Sequence, residues 1–394
     1  MTAAGGVWSG ARVRLLLGFL AFANIVMTGV ILWALHGPGG SGTMMDFGAL
    51  WAAGRMAAMG DAASAYNIAA ITAVQSEGLG RPYEREMAWL YPPILQLGLT
   101  PFGLLPLLAA QALWTGLTLA AYLTICWRIL PDRGTMLAAL APTTAVLLAV
   151  NGQTGFIVAA FAGMAMLGFV RAVPAQGGLG LGLLAIKPQV VLLLPLPFLL
   201  LGPRLALVVA GATVAVLAAL ATVAFGTGIW AAFLDGIGIG GRDLGRSDIL
   251  SNQATLRAAL AGMGASPTLA WVGQGALALA ALGLLLAHRA LPREALAALA
   301  LYAGTAATPR VMDYDLTILV IGGLFHARRI ISGGSIGGEQ AVLAFVLLLP
   351  MADLLTGLPL SGDQGSDQKR RCQPVERQAR QQVRHRQQQA VLAF

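Results

Sequence analysis

The chain has 394 residues, of which 57% are hydrophobic and only 11% are charged, and its mean hydropathy is +0.74. Because soluble domains carry about 25% charged residues, this composition excludes a soluble globular protein and predicts an all-α polytopic membrane helix bundle. The net charge of +8 does not indicate nucleic-acid binding, since half of the excess lies in residues 361–394 and most other arginines flank apolar segments. The two cysteines and four histidines do not cluster, so neither a disulfide framework nor a zinc site is predicted.

The first predicted membrane helix is Val13–Leu35, whose apolar run after Arg12 and Arg14 is too long for the apolar core of a signal peptide. Basic residues favour the cytoplasmic side, so we expect a cytoplasmic N-terminus and a first external loop at 36–93. Trp51 and Tyr66 alternate there with polar residues, which predicts short interfacial helices within the loop.

Nine further apolar stretches follow, and their lengths predict about 10–12 membrane helices, some of them short re-entrant or half helices. The stretches are Leu104–Leu130, Thr135–Val150, Gly155–Val170, Gly177–Leu201, Leu205–Phe225, Thr268–Ala290, Ala295–Ala307, Leu316–Phe325 and Gln340–Leu358. We therefore expect one membrane domain at 1–360, with a second external loop at 226–267. The Gln- and Arg-rich segment 361–394 has no apolar period and is predicted to be a disordered tail.

Lys187 is the only lysine before residue 369, and it lies inside the apolar run Gly177–Leu201. A cation at membrane depth costs a few kcal/mol or more unless it is paired or lines a wet cavity. Pro188 breaks the helix at this point, so the charge is expected at a bend. The residue could be a snorkelling lysine near a helix end, but its central position favours a site for an anionic ligand such as a lipid-linked phosphate.

The distribution of positive charge predicts that Gly177–Leu201 is a hairpin turning at Lys187-Pro188. A single crossing would place Arg204 and the later basic clusters outside, whereas a hairpin returns them to the cytoplasmic side. Its limbs, about 10 and 14 residues long, are shorter than the roughly 20 residues of a full span. Under this topology polar groups from distant parts of the chain meet at one outer face.

Those polar groups occur as short motifs, in order, between about residues 40 and 330. The motifs are Asp46-Phe47 with Ala52-Ala53, Gly60 and Tyr66, then Tyr91-Pro92-Pro93, Asn151-Gly152-Gln153, Lys187-Pro188-Gln189, Ser251-Asn252-Gln253, Thr308-Pro309 and Asp313-Tyr314-Asp315. In this order and spacing the chain resembles the family-87 glycosyltransferases. These are integral membrane enzymes of the GT-C class that use polyprenyl-phosphate sugars.

The resemblance implies a hexosyltransferase of the cell envelope that acts as a multi-pass protein of the plasma (inner) membrane. It would transfer a sugar, with mannose favoured, from a polyprenyl-phosphate donor to a lipid or glycan acceptor on the extracytoplasmic face, with inversion. Asp46 would be the general base and Lys187 would hold the donor phosphate. Possible substrate contacts are Tyr91, Asn151, Gln153, Gln189, Asn252, Gln253 and Tyr314. No cofactor is implied, and the need for a divalent metal is left open.

Several of these residues also have purely structural interpretations. Asp46 could be a solvated loop carboxylate or the cap of a helix starting near Phe47. Tyr91-Pro92-Pro93 could be a rigid entry into a membrane helix, and Asn151 and Gln153 could cap adjoining helix ends. For the whole chain, the alternative function is a transporter or flippase for a lipid-linked or anionic solute, which would also place a broken helix at membrane depth.

Overall fold

The computed structural model describes residues 11–36, 46–82, 88–243, 253–334 and 338–348. Within these ranges the chain is helical and holds no β-strand beyond one isolated bridge, which confirms the all-α fold class. The α-helices are α1 Ala11–His36, α2 Phe47–Ala58, α3 Ile68–Leu79, α4 Pro93–Gly103, α5 Leu107–Ile129, α6 Arg133–Leu140, α7 Thr144–Asn151, α8 Gly155–Val170, α9 Pro174–Leu183, α10 Leu196–Leu200, α11 Leu205–Phe225, α12 Gly228–Asp243, α13 Leu256–Gly262, α14 Pro267–Ala287, α15 Arg293–Ala307, α16 Thr317–Gly333 and α17 Glu339–Leu348. The predicted disordered tail, 361–394, lies outside the described residues.

Five helical segments of the described chain are long and apolar enough to cross a membrane, which makes this a multi-pass membrane protein. They are Val13–Ala34, Leu107–Ile129, Leu205–Phe225, Pro267–Ala287 and Asp313–Gly333. A sixth crossing is formed by α6 and α7 if they act together, although they are bent by 68° where Pro142 interrupts the chain. The sequence predicted this region, Thr135–Val150, as one uninterrupted stretch.

The predicted hairpin at Lys187 is present in the structure. Helix α9 ends at Leu183 and is followed by two 3-10 turns, Leu184–Ile186 and Pro188–Val191, with Lys187 between them. Beyond the turns, the chain returns through α10. The ring of Phe198 in α10 packs 5.4 Å from the ring of Phe169, which lies near the end of α8 where α9 begins.

Close contacts between α9 and α11 show the direction of the returning chain. A Cβ atom on Gly178 would lie 2.4 Å from the carbonyl oxygen of Ala206, and one on Gly182 would lie 2.5 Å from Cβ of Thr213. The two helices therefore run parallel at glycine-mediated contact, as small residues allow in membrane helices. Parallel neighbours require the chain between them to return to its starting end, and the hairpin provides this return.

The first long loop carries helices, as the sequence predicted, and most residues of α2 are buried inside the protein. It packs on α4, where a Cβ atom on Gly54 would lie 2.4 Å from the carbonyl oxygen of Leu99. Trp51 is buried with it and donates its indole hydrogen to the carbonyl of Leu105 at 2.9 Å. This packing fixes the start of α2, at Asp46, against the body of the bundle.

Candidate functional site

A buried ion pair joins the tip of the hairpin to the start of the Asp313–Gly333 segment. Lys187 Nζ lies 2.5 Å from Oδ1 of Asp315, and the two side chains are 4% and 0% exposed. Lys187 also lies over the ring of Tyr314, 4.9 Å from its centroid. The second oxygen of Asp315 accepts a hydrogen bond from the backbone N–H of Met312 at 3.1 Å. The pair lowers the energetic cost of burying a lysine at membrane depth, because each charge neutralises the other.

Tyr91 connects the start of α4 to the turn between α7 and α8. Its hydroxyl donates to Oε1 of Gln153 at 3.0 Å, and its own carbonyl accepts from the hydroxyl of Tyr66 at 2.9 Å. Burial raises the pKa of the Tyr66 phenol, so this group stays a protonated donor. Pro92 and Pro93 form the N-cap and first residue of α4. The motif therefore gives a rigid helix start, as the structural interpretation expected, but α4 has only 11 residues and is not among the described segments that could span a membrane. Tyr91 lies at the edge of the polar site.

Asp46 precedes α2 directly, but its side chain makes no capping hydrogen bond. The interpretation of Asp46 as a helix cap is therefore wrong. The next residue, Phe47, is fully buried against Gly152, whose φ is +63°. A Cβ atom at Gly152 would lie 2.8 Å from Cβ of Phe47, so only glycine gives both this turn and this approach. The contact holds Asp46 beside the Asn151–Gln153 turn.

Tyr314 lies at the centre of the site. The Lys187 ammonium group lies over its ring, and Asp315 follows it directly in the chain. The carbonyl oxygen of Tyr314 would lie 2.7 Å from a Cβ atom on Gly155, at the start of α8. Gly155 lies three residues after Gly152, against which Phe47 packs, so Asp46 borders the same region as the Lys187–Asp315 pair, although 141 and 269 residues separate Asp46 from its two members.

The other predicted contact residues border this site, with one exception. Gln189 accepts through its carbonyl a 3.0 Å hydrogen bond from Thr308, and Gln253 forms the isolated bridge with Met312. Asn151 ends α7 and makes no hydrogen bond with its side chain among the described residues. The side chain of Gln153 accepts a hydrogen bond from the backbone N–H of Thr154 at 3.2 Å, so it satisfies a backbone donor at the start of α8. Asn252 lies outside the described residues.

A cavity of about 220 Å³ opens beside the hairpin tip. Its wall is mostly apolar, with Leu90, Pro92, Phe233 and Ile237 among the lining residues, and its polar lining comes from Gln189 and Arg310. An apolar cavity with few polar groups is typical of a site for an amphipathic ligand.

Sequence reasoning missed three charged residues of this region. Asp315 was expected at this face but not as the partner of Lys187, and neither Arg310 nor Arg257 was singled out. A signal existed for the first, because a buried lysine needs a carboxylate. A signal also existed for Arg310, which directly follows the Thr308-Pro309 motif.

The model of glycosyltransferase family 87 matches residues 89–312, more than half of the chain. The matched segment contains Tyr91, Gln153, Lys187 and Gln253, whereas Asp46 precedes it and Tyr314 and Asp315 follow it. No curated protein and no solved structure gives a significant match.

Proposed function

Because the chain belongs to glycosyltransferase family 87, a family that implies membrane glycosyltransferase activity, we propose a specific reaction for it. The enzyme transfers a sugar, with mannose favoured, from a polyprenyl-phosphate donor to a lipid or glycan acceptor on the extracytoplasmic face of the plasma membrane. The observation that carries this proposal is the placement of Asp46. Phe47 holds Asp46 beside Gly152, the following Gly155 approaches Tyr314, and Lys187 lies over the Tyr314 ring next to a largely apolar cavity.

Asp46 is the proposed general base. Its carboxylate takes the proton of the acceptor hydroxyl while the acceptor oxygen forms a bond to the anomeric carbon. The bond between that carbon and the phosphate oxygen breaks, and polyprenyl phosphate leaves with the electron pair. One base and one leaving group suffice for a single displacement, so inversion at the anomeric carbon is expected.

Lys187 is the proposed contact to the donor phosphate. An ammonium group has three N–H donors, and Asp315 accepts from one of them. Two donors are left for phosphate oxygens at the hairpin tip. Asp315 would then be a positioning residue, because it fixes the direction of the ammonium group and is itself held by the N–H of Met312.

The proposed orientation is supported by arginines at the opposite end of the bundle. Arg171 donates to the carbonyl of Arg128 at 2.9 Å, and Arg328 donates to the carbonyl of Ile129 at 3.0 Å. These three basic residues therefore gather at the end of α5, away from Tyr91 and Lys187. Clustered arginines favour the cytoplasmic side, which leaves the polar site outside.

The decisive experiment uses the purified chain in liposomes that contain an acceptor lipid pool. Synthetic polyprenyl-phospho-mannose, polyprenyl-phospho-glucose and nucleotide sugars are offered separately, and products are weighed by mass spectrometry. We expect a product one hexose heavier than the acceptor only with a polyprenyl-linked donor. Transfer from nucleotide sugars alone would contradict the donor assignment. Movement of the polyprenyl donor across the bilayer without any product would instead favour the transporter.

A further inference from the structure

Arg257 is a buried cation that lacks a complete set of partners. The residue is 9% exposed, one terminal nitrogen donates to Oε1 of Gln253 at 2.8 Å, and its guanidinium lies 4.8 Å from the ring centroid of Trp271. Among the described residues its Nε–H has no hydrogen-bond partner, and neither does Nε2 of the neighbouring Gln253. Both groups can only donate. Buried donors without acceptors are unfavourable, so this place is built for a ligand that brings acceptor atoms.

A second cation, Arg310, lies in the adjacent backbone segment, because the N–H of Ala254 donates to the carbonyl of Val311 at 2.8 Å and Gln253 forms a bridge with Met312. Burial, and then the charge of Arg310, lower the pKa of the Arg257 guanidinium, which still keeps its charge at neutral pH. Within the described ranges no carboxylate forms an ion pair with Arg257 or Arg310, whereas Lys187 is already neutralised by Asp315. Two adjacent positive charges repel each other unless an anion lies between them or beside them.

Arg310 links these donors to the cavity and to the polar site. It lines the cavity together with apolar residues such as Phe233 and Ile237 of α12, and it precedes Tyr314 by four residues. An anion at Arg310 would therefore have hydrocarbon-compatible walls on one side and the Asp46 region on the other. A phosphate attached to an isoprenoid chain combines these two properties.

We propose that Arg257 and Arg310 form an anion site for the phosphate of a prenyl phosphate, whose hydrocarbon chain lies along the apolar wall of the cavity. The inference rests on the proposed function: the phosphate that Lys187 contacts is the leaving group that the two arginines also bind, and Gln189, two residues after Lys187, lines the same cavity as Arg310. The donor is a phosphodiester with one negative charge, whereas the departing monoester carries up to two near neutral pH. A pair of cations therefore interacts more strongly with the product-like state than with the donor, and this difference favours bond cleavage.

The test is direct binding to the purified full chain in detergent, with farnesyl phosphate as the probe and farnesol and inorganic phosphate as comparisons. Dissociation constants are measured by calorimetry for the parent and for Arg310→Gln, Arg257→Gln and Arg293→Gln. Arg293 is the matched control, because it too lies over an aromatic ring, at 5.7 Å from the ring centroid of Phe169. It contacts the end of α8, whereas the candidate site lies at the start of that helix. We expect tight binding only for farnesyl phosphate, weakened about ten-fold or more by either site variant and less than two-fold by the control.

Farnesyl phosphate binding by Arg310→Gln at the parent's affinity would overturn the inference, and so would equal weakening by the control. Arg310 makes no hydrogen bond among the described residues, so this variant decides the matter even where Arg257→Gln fails to fold. The proposed function is judged separately by transfer assays. If the parent transfers sugar from a polyprenyl donor and both site variants bind farnesyl phosphate as the parent does, only the anion site is disproved. If the parent transfers only from nucleotide sugars and does not bind farnesyl phosphate, both the proposed function and the anion site are disproved.

Discussion

Lys187 and Asp315 are 128 residues apart in the chain, yet their side chains form an ion pair with no more than 4% of either exposed. The pair joins the tip of the α9–α10 hairpin to the first turn of the Asp313–Gly333 segment. It is therefore a structural link, and it also places a charged group at the candidate site. These two roles predict different outcomes when either partner is changed.

Lys187→Met is predicted to destabilise the protein. The sequence alone suggested an isolated buried charge, whose removal would not lower stability. The structure predicts a loss of stability instead, because Asp315 would be left buried and charged without its partner, at a cost of about 3–5 kcal/mol. The measurement is the midpoint of thermal unfolding in detergent. Glu294→Gln is the control, since it removes only the partly exposed, 3.8 Å Arg328–Glu294 pair, which is worth little, and leaves the hydrogen bond from Arg328 to Ile129 in place.

The double variant Lys187→Met/Asp315→Asn separates the two roles of the pair. Asparagine keeps an oxygen for the N–H of Met312 and carries no charge, so stability is expected to recover most of the loss. Donor binding is expected to remain weakened, because the ammonium group is still absent. Recovery of donor binding along with stability would show that Lys187 acts only in the fold.

Asp46→Asn is predicted to lower turnover by about 10² to 10⁴ while the protein folds and binds the donor as before. The change keeps the size of the side chain and removes its basicity, and Asp46 makes no capping hydrogen bond that the helix would lose. Turnover, donor affinity and the unfolding midpoint are measured together. Asp61→Asn is the matched control: this exposed carboxylate of the same loop accepts from Ser64 at 2.6 Å and lies outside the candidate site.

Long apolar runs made part of the fold predictable. The segment Leu205–Phe225 has the same bounds in the sequence analysis and in the structure, and the predicted Val13–Leu35 differs from α1 by two residues at one end and one at the other. The hairpin at Lys187 could also be predicted, because basic residues are enriched on the cytoplasmic side and so indicate which side of the membrane each loop faces. The 68° break within Thr135–Val150 was missed although Pro142 marks it.

The partners within the site could not be predicted in the same way. Nothing local in the sequence pairs Lys187 with Asp315 or brings Arg257 close to Arg310, since such contacts depend on how distant helices pack. The membership of Asp46 in the site was an implication of family resemblance. The structure gives it a physical basis in Phe47 and Gly152, which are in contact although they lie 105 residues apart.

The hairpin and the orientation can be tested together by labelling single cysteines in a background without Cys126 and Cys372. Val173→Cys and Leu201→Cys lie at the two ends of the hairpin and are exposed, so both should react with an impermeant reagent from the cytoplasmic side. Ser41→Cys should react from the opposite side. Gly202 is unsuitable as a probe, because a Cβ atom there would lie 2.8 Å from Cα of Phe198. Labelling of Leu201→Cys from outside would contradict the proposed orientation or the hairpin.

Gly152→Ala is predicted to damage both stability and turnover, and Gly80→Ala allows the two causes to be separated. Both glycines have left-handed backbone conformations, with φ of +63° and +64°, so alanine costs about 1–2 kcal/mol at either position. A Cβ atom at Gly80 would meet no atom within 4 Å, whereas one at Gly152 would press on Phe47 and push Asp46 away from Tyr314. We therefore expect Gly80→Ala to lower only the unfolding midpoint. Gly152→Ala should lower the midpoint further and reduce turnover at saturating donor by ten-fold or more, as a displaced base would. Equal turnover in the two variants would show that the contact between Gly152 and Phe47 does not position Asp46.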